Sequence, residues 1–163
     1  MTDTPAADRA AAPLKGCSGL PEDTCMEITA EEYVSQRAAE FVDGMPSAEL
    51  DYSEESLAVV TAVLSGMAPM FSDGQFPQPL VEDASSYLLQ VARRAFGRVL
   101  KYHNQTQQLV LVTGLPSYEV SITAKSKVIG LLSGDQADDL AFHYSGFAQR
   151  ARAATPGDQV MYV

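Results

Sequence analysis

His103 and His143 are the only imidazoles in this 163-residue chain. His143 stands four residues after Asp139, a spacing that places both on one helical face and makes half of an acid–base pair. An enzyme built on it would need Asp139, His143 and Tyr144 to converge in a concave pocket. A carboxylate and an imidazole at this spacing are far more often a surface pair, which is the expectation here. No nucleophile of known geometry accompanies them, because Ser56, Ser65 and Ser145 lack the G-x-S-x-G context of a nucleophile elbow. Neither a G-x-G-x-x-G nor a Walker sequence occurs, so nucleotide binding has no glycine-rich cradle to rest on. The carboxylate pairs Glu31/Glu32, Glu54/Glu55, Glu82/Asp83 and Asp138/Asp139 are adjacent in sequence, and adjacent helical residues point about 100° apart. They read as solvated faces and not as converging acids or metal ligands. Cys17 and Cys25 read as free thiols in a reducing compartment, without a histidine nearby to complete a metal site. The expectation is a protein with no catalytic residue, no cofactor and no metal.

What remains is charge. The chain carries a formal net charge of −10, unevenly spread. Residues 28–85 hold eleven acids and one base, Arg37, whereas residues 86–163 hold five acids and eight bases. The densest stretch is Glu49 to Ser56, ELDYSEES, with Glu49, Asp51, Glu54 and Glu55. An acidic face of this kind repels nucleic acid and anionic membrane and accelerates encounter with a basic protein. The candidate partner-binding set is Glu31, Glu32, Glu49, Asp51, Glu54, Glu55, Asp73, Glu82 and Asp83. Against it stands a basic cluster, Arg93, Arg94, Arg98 and Lys101, without the interleaved aromatics of a nucleic-acid platform. These cations have an internal use open to them, pairing with acids of the preceding helices.

Positioning these groups requires elements, and their outline is legible. Composition, 46% hydrophobic and 20% charged, is that of a folded soluble protein. No run approaches the ~20 apolar residues of a membrane span, and the N-terminus lacks the pattern of a signal peptide, so a cytoplasmic protein is expected. Residues 1–27, rich in Ala, Pro, Thr and Asp without periodicity, read as a flexible arm, and residues 28–163 as one globular domain. Within it ITAEEY supplies a capping box, Thr29 with Glu32, and Ile28 with Tyr33 form the staple across it. Val34, Ala38 and Phe41 give the first helix its apolar face, and Gly44 with Pro46 ends it.

Ser53 is the expected N-cap of a second helix, with Glu54 and Glu55 in its first turn, Tyr52 and Leu57 as staple, and Leu57, Val60, Leu64 and Met67 inward. A central amphipathic helix is expected over about 79–103, with Ala84, Leu88, Val91, Ala95 and Val99 on its stripe and the four cations on its wet side. Gly97 inside that helix implies close approach by another element. QLVLVT, a turn at TGLPS, and 118–123 then read as a β-hairpin buried on one face. KSKVIGLLS is a short helix stopped by Gly134. A longer helix from Asp135 or Gln136 to about Ala153 carries Leu140, Tyr144, Phe147 and Ala151 inward, and PGDQVMYV feeds a short strand. The fold class is α+β: a mainly helical single domain with a small antiparallel β-hairpin or sheet.

SEESL, the glycine-bearing helix from Tyr87 to Gly97, and KSKVIGLLSG followed by an acidic helix start resemble, over roughly residues 51–147, a bacterial domain-of-unknown-function family. That family is found among predicted immunity proteins of polymorphic-toxin and type VI secretion systems. The resemblance implies a non-enzymatic cytoplasmic immunity protein, monomeric or weakly dimeric, that binds a cognate protein toxin, such as a nuclease or other basic effector, and covers its active site. An acidic surface would then fill the toxin's basic groove. The alternative is a scaffold or regulatory adaptor in which the basic helix pairs with the acidic helices of the same molecule.

Overall fold

A computed structural model of the chain describes residues 28–163. The expected arm, with Cys17 and Cys25, lies outside the described residues. The described chain is α+β: five α-helices, α1 (Ala30–Gly44), α2 (Ser56–Met67), α3 (Gln78–Phe96), α4 (Lys125–Leu132) and α5 (Leu140–Ala153), beside one four-stranded sheet. Its strands, β1 (Val99–His103), β2 (Gln108–Thr113), β3 (Glu119–Ile122) and β4 (Gln159–Tyr162), lie in sequence order across the sheet. β1, β2 and β3 are antiparallel neighbours, while β4 returns after α4 and α5 to pair parallel with β3.

Local chemistry sets several boundaries as the sequence implied. The capping box at α1 is complete: the Thr29 hydroxyl accepts the Glu32 N–H, and the Glu32 carboxylate accepts the Thr29 N–H at 2.9 Å. Val34, Ala38 and Phe41 are buried against the core, as are Leu57, Val60 and Leu64 of α2. Ser53 is not the N-cap of α2: a turn at Glu54–Glu55 intervenes, the α-helix begins only at Ser56 with Glu55 at its N-cap, and the Ser53 hydroxyl accepts the Ser56 N–H at 3.2 Å from the turn before it. α5 likewise starts late, at Leu140, where the Asp139 carboxylate takes the Phe142 N–H at 2.9 Å.

The central helix is shorter than its amphipathic period implied. α3 stops at Phe96, and Gly97 terminates it with φ 63°, ψ −175°, a backbone conformation open almost only to glycine. No atom lies within 4 Å of where a Gly97 Cβ would sit, so dihedral freedom and not close approach requires the glycine. The residues beyond it, including Val99, Arg98 and Lys101, therefore leave the helix, and Val99 to His103 become the outer strand β1. Ala95 and Val99, expected on the buried stripe, are exposed.

The sheet packs one face on the helices. Leu100, Leu111, Ile122 and Tyr162 stand in one row across the four strands, and the Tyr162 ring meets Phe147 of α5 edge-on at 6.4 Å. Contrary to the one-faced hairpin expected, Ser121 and Thr123 of the β3 segment are buried as well, and so are Val110 and Val112. The polar pair tolerates burial because β3 is an interior strand: the Ser121 and Thr123 hydroxyls donate to the Val160 and Tyr162 carbonyls of β4 at 3.4 and 3.3 Å.

The α4–α5 connection is closed by a different glycine. A Cβ at Gly130 would collide with the Asp138 carboxyl, which Lys127 grips at 2.9 Å. Lysine and glycine of KSKVIGLLSG thus hold the acidic stretch that follows it.

Candidate functional site: the acidic surface

Cations sort the carboxylates into two kinds. Arg37, on α1, pairs with Glu40 of the same helix at 3.0 Å and reaches Asp83 at 3.3 Å and Glu82 at 3.8 Å across the seam with α3. Glu82 also accepts the Tyr33 hydroxyl at 2.8 Å, and burial together with that carboxylate pushes the Tyr33 phenol up to about 12. Partial burial raises the Asp83 carboxyl above its ordinary value, although Arg37 opposes the shift. Arg93 meets Glu31 at 3.5 Å along the same seam. Glu54 is held from α5, accepting from Arg152 at 2.9 Å and from the Tyr144 hydroxyl at 3.2 Å. Four of the nine candidates, Glu31, Glu54, Glu82 and Asp83, thus face cations of their own chain.

Glu32 is occupied by the capping box, and hydrogen bonds from Thr29, its backbone first, hold the carboxyl below its ordinary value. Asp73 stands apart, on the loop after the short 3-10 turn Ala68–Phe71, where it accepts the Gln75 N–H at 3.0 Å. Three candidates remain together: Glu49, Asp51 and Glu55, exposed along the connection between α1 and α2. Asp51 accepts the Ser53 N–H at 3.0 Å, and hydrogen bonds from Ser53 keep its carboxyl ionised below the usual range. A fourth exposed acid, Asp43 in the last turn of α1, belongs with them, close enough to Tyr52 for its charge to raise the Tyr52 phenol, although burial is the larger cause. Asp43 was missed because it stands in α1, outside ELDYSEES, and only the fold brings it near Tyr52. None of these four makes an ion pair within the described residues.

The connection is anchored beneath these acids. Tyr52 adopts φ 64°, rare for an aromatic residue. Its N–H donates to the Tyr87 hydroxyl at 2.9 Å, its ring stacks on Tyr87 at 4.9 Å, and Tyr87 in turn shares a 2.7 Å hydrogen bond with the Ser56 hydroxyl. Tyr87 is fully buried, so it fastens the loop to the core, where Leu50 of the same connection is buried as well. The acids project from a fixed backbone, which lowers the ordering cost of any contact they make.

The chain matches no protein-family model, and neither a curated protein nor a solved structure shows a significant match to it.

The Asp139–His143 pair is not the surface contact that its spacing implied. His143 is 8% exposed and its Nε2 donates to the Thr123 carbonyl at 2.8 Å. Asp139 is spent on capping, and the Tyr144 hydroxyl points to Glu54. The three groups serve three separate partners: Asp139 caps α5 itself, while His143 and Tyr144 tie α5 to other parts of the fold. Among the described residues no group of three His, Cys, Asp or Glu side chains is placed to hold a metal ion, and no helix is long and apolar enough to cross a membrane. The basic cluster spans more than one element. Arg93 and Arg94 lie in the last turn of α3, Arg98 follows Gly97, and Lys101 belongs to β1.

Proposed function

We propose that this protein works by binding a basic protein partner through Asp43 at the end of α1 and Glu49, Asp51 and Glu55 on the connection to α2. The observation that carries this is the contrast in pairing: the carboxylates of the α1–α3 seam and Glu54 face internal arginines, whereas these four are exposed and make no ion pair among the described residues. Uncompensated carboxylates on an anchored loop produce a local negative field that steers a cationic partner and fixes its register. In its specific form the proposal is a cytoplasmic immunity protein that neutralises a cognate toxin by filling a basic active-site groove, the carboxylates standing where substrate phosphates would.

The test is co-expression with the product of the neighbouring gene, purification through a tag on this chain, and a growth assay. A one-to-one complex with rescue of growth is expected. Replacing Asp43, Glu49, Asp51 and Glu55 together by lysine should weaken the complex at least about tenfold at low salt, an effect that shrinks as salt rises. Unchanged affinity at low salt would remove the electrostatic reading.

A second reading has its own support. The ion pair Arg93–Glu31 joins the basic end of α3 to the acidic α1, the intramolecular pairing that a scaffold or adaptor protein would use. It predicts a lone monomer and no toxicity from the neighbouring product.

A further inference from the structure

The strained Tyr52 carries a second load. The Arg94 guanidinium sits over its ring, 3.8 Å from the centroid. That stacking leaves the in-plane N–H groups of the guanidinium free to donate, the orientation that suits bidentate binding of an oxyanion. Beside it, past the end of α3, Arg98 is held at φ 100°, again outside the range ordinary for a side-chain-bearing residue. Three non-glycine residues have positive φ among the described residues: Tyr52, Arg98 and Gln107. Two of them serve this one corner, and conformations of this cost persist where the surrounding structure enforces them, which functional sites do more often than others.

The corner is a shallow cleft, open to solvent, of about 370 Å³ lined by Glu31, Gln90, Arg93, Arg94, Gly97 and Arg98. Its donors dominate. Arg93 is oriented by Ser35 and by the Gln90 carbonyl oxygen, both at 3.2 Å, which leaves the Gln90 amide N–H groups unspent. Glu31 is the single carboxylate of the lining, and Arg93 engages it at 3.5 Å. Arg94 and Arg98 make no ion pair among the described residues, in a protein whose net charge is −10.

We infer that this cleft is a binding site for a phosphate group, free or carried on a small phosphomonoester. Arg94 and Arg98 supply the charge, and Arg93 with Gln90 supplies the third side. A phosphomonoester dianion offers only acceptors, and free hydrogen phosphate three acceptor oxygens beside one O–H, each with two negative charges, which matches a wall of guanidinium and amide donors better than a single carboxylate does. A polyanion is disfavoured because Asp43 and Asp51 border Tyr52, on which Arg94 rests, and would repel phosphates extending beyond the cleft.

The experiment is titration of the full chain with inorganic phosphate, with a sugar monophosphate and with a short single-stranded oligonucleotide at constant ionic strength, followed by calorimetry and by NMR of the arginine Nε–H groups. Saturable binding that shifts the Arg94 and Arg98 signals is expected. Arg98→Gln, at an exposed position, should weaken it at least about tenfold, a loss of ~1.4 kcal/mol, while Lys101→Gln on β1 leaves it unchanged. Equal affinity for both small ligands would assign the site to free phosphate, and tighter binding of the sugar phosphate would assign it to a phosphomonoester. Absence of saturable binding, indifference to Arg98→Gln, or an oligonucleotide that binds more tightly than either small ligand would overturn the inference. None of these outcomes depends on the protein partner, since Arg94 and Arg98 lie outside the four carboxylates proposed to face it.

Discussion

His143 is a titratable group placed where titration damages the fold. Burial pushes its imidazole below the ordinary value of 6.5, with Lys127 acting in the same direction and the Thr123 carbonyl and Asp138 opposing. The folded state therefore binds this proton less readily than the unfolded chain. Stability from neutral His143 is complete above about pH 6.5 and is lost as pH falls through the depressed folded value. Urea denaturation between roughly pH 7 and 5 should show a midpoint falling with pH, and His143→Gln should flatten that slope, since glutamine does not titrate. An unchanged slope in the variant would assign the loss to carboxylates instead. The same residue ties α5 to the end of β3, so the variant is also expected to start from a lower midpoint.

At the scale of elements, the end of α3 decides how the chain is divided. Helix and strand meet at Gly97 and Arg98, and the conformation at Gly97 is what turns Val99 out of the helix and into β1. Gly97→Ala adds no collision, because its Cβ has open space around it. The whole penalty is conformational, about 1–3 kcal/mol, and denaturant unfolding should read it without any change in the cooperativity of the transition. The same substitution moves Arg98, so a protein that still folds should lose phosphate affinity together with stability. In the sheet, β4 gives β3 its second neighbour and receives the Ser121 and Thr123 hydroxyls.

For the whole molecule, the C-terminal strand closes what the N-terminal helices begin. Tyr162 packs on Phe147 and faces His143, and it approaches Gly146 so closely that a Cβ there would lie 3.1 Å from the ring. Truncation after Asp158 would uncover Ile122 and Phe147 and leave β3 as an open edge. A cost on the order of 3–5 kcal/mol follows from losing an aromatic anchor of this size, and the open edge invites self-association. Light scattering and thermal unfolding of the truncated chain should show aggregation and a lowered midpoint; a monomer of unchanged midpoint would contradict this account. Salt, by contrast, should alter the stability of the intact chain only slightly, since the arginine pairs of the α1–α3 seam are partly exposed and such pairs contribute about 0–1 kcal/mol each.

The sequence by itself determined what depends on near neighbours. Thr29 and Glu32 announce the start of α1, Val34, Ala38 and Phe41 its inner face, QLVLVT and the residues after TGLPS the hairpin, and the excess of acids over residues 28–85 the sign of the surface. These follow from periods of 3.6 and 2 and from bonds spanning three or four residues. The tertiary structure decided what depends on residues far apart in the chain. Arg37 meets Asp83 and Arg152 meets Glu54 across separations that no local period encodes, and those meetings select which carboxylates stay open. His143 changed from surface pair to buried anchor for the same reason, because its partner is the Thr123 carbonyl, twenty residues away. Past Gly97 the amphipathic pattern of Val99 and Leu100 fitted helix and strand alike, and only pairing with β2 chose between them.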